Sequence, residues 1–368
     1  MVSVVTGVKR LVRNIYRHRR WGQRRKKRKR NGDAYAALDL GTNNCRLLIA
    51  EAADDGFTVI DGFSRIVRLG EGVAASGVLG TEAMDRTLSA LRVCSRKIRD
   101  NGVKRSRCIA TEACRRAANG DDFLKRVEAE TGLTLETVTP ATEAELTLAG
   151  CRPLLDTDHE KALLFDIGGG STEIMWVDTP ASGPIRTLGM MSFPTGVVTL
   201  AEEYGEGILA DHTCEEILER IDELLDPFCA EHGIGEAVAA GKARMIGTSG
   251  TVTTLGAICL GLERYDRSRV DGLSIPFDNI RAISERLTEM DMEERRSIPC
   301  VGPDRADLML MGCAILRAIC ERWPVGRLCA ADRGIREGLL LEMIEADRKM
   351  SYGTAAGAAP VPPAPFVA

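Results

Sequence analysis

The stretch Leu163-Leu164-Phe165-Asp166-Ile167-Gly168-Gly169-Gly170-Ser171-Thr172-Glu173 carries an apolar run into a carboxylate and then turns at once through three glycines. Glycines let a backbone approach a ligand closely, and successive N–H groups in a tight turn form an anion-binding concavity. Asp166 beside such a turn would repel a bare phosphate, so the pairing predicts a divalent cation between them. Mg²⁺ is the cation expected, since it takes one or two carboxylates together with phosphate oxygens.

The pattern occurs twice. Tyr35-Ala36-Ala37-Leu38-Asp39-Leu40-Gly41-Thr42-Asn43-Asn44 again runs strand, Asp, apolar residue, Gly, then small hydroxyl or amide donors. A second apolar stretch follows each copy, Arg46 to Ala50 and Ile174 to Val177, as a strand–turn–strand unit requires. A third glycine turn, Met245-Ile246-Gly247-Thr248-Ser249-Gly250-Thr251-Val252, leads into an apolar helical run. One glycine-rich turn alone is more often a tight connection than a phosphate loop. Two Asp-x-Gly turns in matching halves, with a third rich in hydroxyls, indicate a phosphate or nucleotide cleft between two related domains.

Between the turns the pattern predicts strands at Ala36–Leu38, Arg46–Glu51, Val59–Leu69, Arg107–Ala110 and Thr134–Val138. Helices are predicted at Thr81–Arg99, Asp121–Thr131 and Thr142–Gly150 in the first half. The second half adds helices at Cys214–Leu225, Thr251–Leu260, Asn279–Met290, Asp304–Cys320 and Arg336–Lys349, with Asp304 as a cap for its helix. Such alternation argues for two α/β domains with mixed sheets.

In their order, the turns at Asp39, Asp166 and Gly247 resemble the phosphate-binding segments of the actin, heat-shock chaperone and sugar kinase superfamily. Within it the chain is most similar to the exopolyphosphatase/guanosine pentaphosphatase family. Support comes from Thr111-Glu112-Ala113-Cys114-Arg115-Arg116-Ala117, Thr142-Glu143-Ala144-Glu145-Leu146 and Phe193-Pro194-Thr195-Gly196-Val197-Val198. Gly302-Pro303-Asp304-Arg305-Ala306-Asp307 and Ala331-Asp332-Arg333-Gly334-Ile335-Arg336-Glu337-Gly338 add to it, and the likeness spans residues 34 to 348. It implies an α/β fold of two actin-like (ribonuclease H-like) domains, residues 34–158 and 159–350, with a cleft between them. A basic leader over 1–33 and a flexible Ala/Pro-rich tail over 351–368 flank them.

The resemblance also implies roles. Glu143 matches the family's general base, Arg115 its phosphate-contacting arginine, and Asp166 and Glu173 its positions around the divalent ion. Asp39 would hold the ion through water. Thr42, Asn43 and Asn44, with Gly168, Gly169, Gly170 and Ser171, would donate to phosphates from opposite sides, and Gly250 and Thr251 would complete the cradle. Plainer readings stand beside these: Glu173 as a surface acid on a strand, Asp39 as a brace for its turn, Glu143 as a first-turn acid favoured by the helix dipole. Glu145 lies two residues from Glu143, and positions two apart on a helix do not share a face, so only one of them enters the cleft.

Composition narrows the field. A chain of 368 residues is long enough for two cores, and no run of about 18 apolar residues predicts a membrane span. The twelve cysteines are scattered without a Cys-x-x-Cys pair, and the four histidines offer no finger-like spacing, so buried thiols in a reducing cytoplasm are expected and no zinc site. Residues 1 to 32 hold thirteen Lys or Arg and no acid, which leaves 36 bases against 53 acids in the remainder, a net −17. That leader is either a solvated tail or a tether for polyanions. No aromatic clamp for a nucleotide base stands out.

The expected activity is therefore release of terminal orthophosphate from inorganic polyphosphate, guanosine pentaphosphate or both, by a cytoplasmic, Mg²⁺-dependent homodimer. The alternatives are an acceptor-dependent kinase of the same superfamily and a non-catalytic polyphosphate or alarmone binder.

Overall fold

The structure is a computed structural model that describes residues 32–155, 158–205 and 211–356. Nearly all of the basic leader and most of the Ala/Pro-rich tail lie outside these residues. The strands are β1 (Ala34–Leu40), β2 (Asn44–Ala53), β3 (Gly56–Ile66), β4 (Arg105–Ala110), β5 (Glu136–Thr137), β6 (Lys161–Ile167), β7 (Thr172–Asp178), β8 (Arg186–Phe193), β9 (Ala243–Ser249), β10 (Leu273–Pro276) and β11 (Arg327–Ala331). The helices are α1 (Val73–Ser76), α2 (Thr81–Asp100), α3 (Glu112–Arg116), α4 (Gly120–Thr131), α5 (Pro140–Cys151), α6 (Val197–Tyr204) and α7 (Asp211–His232). They continue as α8 (Ile234–Ala239), α9 (Gly250–Cys259), α10 (Arg267–Val270), α11 (Phe277–Glu289), α12 (Met292–Ser297), α13 (Ala306–Arg322) and α14 (Ile335–Ala356).

Two mixed sheets repeat one plan. The first has the order β3-β2-β1-β4-β5, with β1, β2 and β3 antiparallel and β4 and β5 added in parallel. The second runs β8-β7-β6-β9-β11 in the same sense and carries an extra antiparallel edge, β10. The repeat extends to detail. Asp39 lies opposite Arg46, and Asp166 opposite Glu173. Both turns close by the same bond, Gly41 N–H to Asn44 O and Gly168 N–H to Ser171 O, each 2.9 Å. Each third strand is bulged at the matching place, with Ile60 of β3 unpaired opposite Ile49/Ala50 and Leu188 of β8 unpaired opposite Trp176/Val177.

The central strands β1 and β6 read as near-continuous apolar runs because both of their faces are covered. In the first lobe Leu38, Leu40 and Leu47 pack with Leu91 of α2 and Phe123 of α4, and the opposite face packs with Leu339, Leu340 and Met343 of α14. In the second lobe Phe165 and Trp176 pack with Ile221 of α7 and Ile315 of α13, and Leu164 and Met175 on the other face meet Leu148 and Cys151 of α5.

Helix α5 is thus shared, with Leu146 in the first lobe's core and Ala144, Leu148 and Cys151 in the second's. Helix α14, which follows the second sheet in sequence, returns to cover the first. A division of the chain at 158/159 therefore separates the sheets but not these helices. The two helices cross backbone to backbone. A Cβ on Gly338 would stand 2.1 Å from Leu146 O, and one on Gly150 the same distance from Gly334 O.

Several boundaries differ from the sequence reading. β3 spans Gly56–Ile66 rather than Val59–Leu69, and β5 shrinks to Glu136–Thr137. Helix α5 starts at Pro140 rather than Thr142, because Thr139 caps it, accepting from Thr142 N at 3.2 Å. Helix α13 begins at Ala306 with Arg305 at its cap position and no side-chain cap bond, so Asp304 does not cap it. Helix α14 runs on to Ala356, so the tail expected from 351 begins helical, since no proline interrupts the chain before Pro360. The cysteines are free thiols and mostly buried, as small apolar residues are. No described helix is long and apolar enough to cross a membrane.

Because backbone atoms cannot rotate away as a side-chain tip does, Gly338→Ala must push α14 and α5 apart. We expect a loss of about 1–3 kcal/mol in urea unfolding, the usual cost of overpacking. A midpoint equal to that of the parent would show that the crossing tolerates a methyl group.

Candidate active site

The cleft between the lobes has about 130 Å³ of free volume and gathers most of the residues singled out in the sequence. Asp39, Thr42, Asn43 and Asn44 line it from the first lobe, Glu143 from the shared helix, and Asp166, Gly168 to Ser171, Glu173, Gly250 and Thr251 from the second.

Strand register explains the carboxylates. Directly opposed residues of an antiparallel pair project to the same face, so the Asp166–Glu173 pairing places two acids side by side. Glu173 is buried, and its Oε1 accepts from Ser171 Oγ at 2.7 Å and Ser192 Oγ at 2.8 Å. It is not the exposed strand acid of the plainer reading. Glu143 is also buried while Glu145 is exposed, as helical spacing requires of residues two apart.

Burial disfavours the charged form of each of these acids. Burial, then repulsion from Glu173, pushes the Asp166 carboxyl up to about 8 against the opposing pull of Arg46. Burial and Glu173 likewise push Glu143 up to about 8, with Arg115 opposing. Burial also raises Asp39 and Glu173, the latter against the hydrogen bonds from its two serines.

The glycines act differently from the sequence reading. None of Gly168, Gly169 and Gly170 has a positive φ. Their missing side chains let the two phosphate turns meet: a Cβ on Gly169 would lie 3.0 Å from Thr42 Cβ, and one on Gly170 would lie 2.9 Å from both Thr42 Oγ1 and Glu112 Cγ. The N-terminus of α6 braces the turn from behind, with Val197 N–H donating to Gly168 O at 3.0 Å and Val198 N–H to Gly169 O at 2.8 Å. This gives the Phe193 to Val198 segment a supporting role. Gly247 is not in a turn at all; it sits in β9, where a Cβ would strike the Phe165 ring at 2.4 Å. The third turn starts at Ser249, whose hydroxyl caps α9 by accepting from Val252 N–H at 2.9 Å.

Arg115 does not line the cleft. Its Nη2 donates to Glu112 Oε2 at 2.6 Å, and its Nη1 to Val138 O at 2.6 Å and Glu143 Oε1 at 3.5 Å. It stands behind Glu143 as a cationic brace. Two other arginines do line the cleft, Arg46 and Arg305, and neither guanidinium makes a hydrogen bond or ion pair with a described residue. The repeat held a clue to Arg46, which occupies the position in β2 that Glu173 occupies in β7; Arg305 carried no comparable signal beyond its family segment.

The donor set suits a hard cation of Mg²⁺ type. Asp166 and Glu173 supply adjacent carboxylates whose mutual repulsion such an ion would relieve, and Asn43 and Asn44 each bury a side-chain oxygen with no partner among the described residues. No cluster of three or more His, Cys, Asp or Glu able to hold a metal occurs among the described residues. An ion here would therefore draw its remaining ligands from water and phosphate oxygens, which is the habit of Mg²⁺.

Folding raises Glu143 from 4.5 to about 8, so across that interval the folded chain keeps a proton that the unfolded chain releases. Stability in divalent-free buffer should fall as pH rises through this window, and Glu143→Gln should flatten the curve. Melting temperatures of both proteins from about pH 5 to about pH 8 check this; parallel curves would contradict it.

The sequence profile of the Ppx/GppA phosphatase family matches residues 48–347. "Exopolyphosphatase 2" of Mycobacterium tuberculosis is 29% identical over 329 residues, covering 84% of this chain and 98% of that protein. The crystal structure of the Ppx/GppA family member from Aquifex aeolicus matches at 29% identity with a TM-score of 0.68, over 86% of this chain and 98% of that one. An exopolyphosphatase structure from Cytophaga hutchinsonii, 22% identical with a TM-score of 0.76 over 85% and 98% of the two chains, shares the fold.

Proposed function

This chain belongs to the Ppx/GppA phosphatase family, and we propose that it hydrolyses the terminal phosphoanhydride bond of inorganic polyphosphate, with guanosine pentaphosphate as a second substrate of the same chemistry. The observation that carries this reading is the facing pair of Asp-x-Gly turns, with a buried glutamate from the shared helix between them. The relatives named as exopolyphosphatases support the choice of polyphosphate.

Phosphoryl transfer demands positioning, neutralisation of charge and an oriented water rather than covalent help. Backbone N–H groups of the two turns, from Thr42 to Asn44 and from Gly169 to Ser171, with the Thr42 hydroxyl and Thr251, would hold the terminal phosphates. Arg46 and Arg305, the uncommitted guanidinium groups, suit phosphate oxygens bidentately. Asp166 and Glu173 would hold a divalent ion, with Asp39 reaching it through water; bound there, it supplies neutralisation of charge on the phosphate oxygens. Glu143 accepts the proton of the attacking water at a carboxylate oxygen. Arg115 opposes the rise in its pKa and so favours the ionised form that a base needs.

The test compares released orthophosphate from long-chain polyphosphate, guanosine pentaphosphate and ATP, with Mg²⁺ titrated in each. Glu143→Gln should bind substrate yet lose about 10²–10⁴-fold in turnover, the usual contribution of a general base. Asp166→Ala should abolish the divalent-dependent activity. Turnover near the parent's in Glu143→Gln, or an unchanged Mg²⁺ titration in Asp166→Ala, would overturn the assigned roles. ATP consumption that requires an added acceptor would replace the hydrolase with a kinase.

A further inference from the structure

We propose that Arg68 is a positioning residue that clasps the two lobes over the cleft. It is the only non-glycine residue with a positive φ, 47°, among the described residues. A side chain in the left-handed region is strained and persists only where its surroundings over-determine it.

Both ends of Arg68 are determined. Its backbone N–H donates to Asn43 O at 3.1 Å, beside Val67 N–H to the same oxygen at 2.9 Å, and Gly70 N–H donates to Thr42 O at 2.9 Å. This segment therefore braces the first phosphate turn. The guanidinium crosses to the other lobe, with Nη1 2.8 Å from Asp307 Oδ2 and Nη2 donating to Asp307 Oδ1 at 3.1 Å and to Asp304 O at 3.3 Å. Two planar groups meet fork to fork, the geometry in which an arginine–carboxylate pair is most directional. A little further on, Gly72 N–H donates across the cleft to Glu202 Oε1 at 2.6 Å. Glu202 belongs to α6, the helix whose N-terminus braces Gly168 and Gly169.

Residues 67–72 thus tie together three pieces that face the cleft: the Thr42–Asn43 turn, the triple-glycine turn through α6, and Arg305 through its neighbours at 304 and 307. Both partners of the ion pair are 34% exposed. A pair of that exposure contributes up to about 1 kcal/mol, or about fivefold in the ratio of closed to open lobes. That is enough to favour closure and weak enough to permit opening at each exchange of substrate and product. The kinetic part of this inference rests on the phosphatase reading of the cleft; the structural part does not.

Arg68→Gly, Asp307→Asn and the double variant of the full chain test it. Glycine adopts a φ of 47° without steric strain, so Arg68→Gly keeps the segment's path while it removes the guanidinium. In substrate-free protein, amide exchange at Gly72 and in both phosphate turns should quicken by up to about fivefold in either single variant and no further in the double. The KM for long-chain polyphosphate should rise by up to about fivefold with kcat unchanged, as expected when uniform binding is lost. Unchanged exchange at these amides, or additive effects in the double variant, would overturn the clasp. Faster exchange with an unchanged KM would overturn its part in retaining substrate. A parent protein that releases no phosphate from polyphosphate would overturn the functional reading instead, and the exchange data would still judge the clasp.

Discussion

Repulsion among acids enclosed in one small volume is the constraint on which the molecule's design turns. Asp39, Asp166, Glu173 and Glu143 come from both lobes and from the helix they share, and each is raised in pKa chiefly by burial. Water alone would let such groups separate. Here they are held by features that cannot yield easily: a two-strand register that sets Asp166 beside Glu173, and a crossing of α5 and α14 so close that only glycine fits at Gly150 and Gly338. Arg46 pulls against the rise in Asp39 and Asp166, and Arg115 against the rise in Glu143 and Glu173. On the proposed reading, what remains is the attraction for a cation and for the proton of a water.

Much of the plan was legible in the residues. The duplicated strand–Asp–x–Gly phrase revealed two related sheets, because its repetition in the same order, with an apolar stretch after each copy, is what a single glycine turn does not provide. Asp39, Asp166 and Glu173 were equally visible, since each stands in or beside such a phrase, whereas Glu143 was reached through the family resemblance of its own segment. Contacts between distant segments were not visible. The return of α14 to the first sheet leaves no local mark, as an apolar helix looks alike whichever sheet it covers. Arg115 was read as a ligand because its family segment points that way, yet its guanidinium is engaged by Glu112, Glu143 and Val138 O, and no spacing rule reports a bond to a carbonyl many residues away. Gly247 was taken for a turn residue when its missing side chain makes room for the Phe165 ring.

Glycine serves several physical ends in one site. At Gly169 and Gly170 it allows two backbones from different lobes to touch, and at Gly196 it lets α6 lie against the turn it braces, where a Cβ would stand 2.4 Å from Gly169 O. At Gly338 it sets the height at which one helix crosses another. In none of these positions is a left-handed backbone the reason. Close approach is, and it explains why a glycine-rich phrase is so ambiguous in sequence: the same residue answers to a ligand, a neighbouring turn or a helix.

The two sheets are near copies, and a cleft built from perfect copies would look the same from either side. A linear chain of phosphates has the same ambiguity, since its two ends are alike. One exchange breaks the symmetry: where the first sheet sets Arg46 opposite Asp39, the second sets Glu173 opposite Asp166. One wall thus pairs an acid with a base, and the other pairs two acids. The cleft acquires a polarity along the line that joins the lobes, and on the proposed reading a molecule without a head or tail of its own takes its direction from the walls around it.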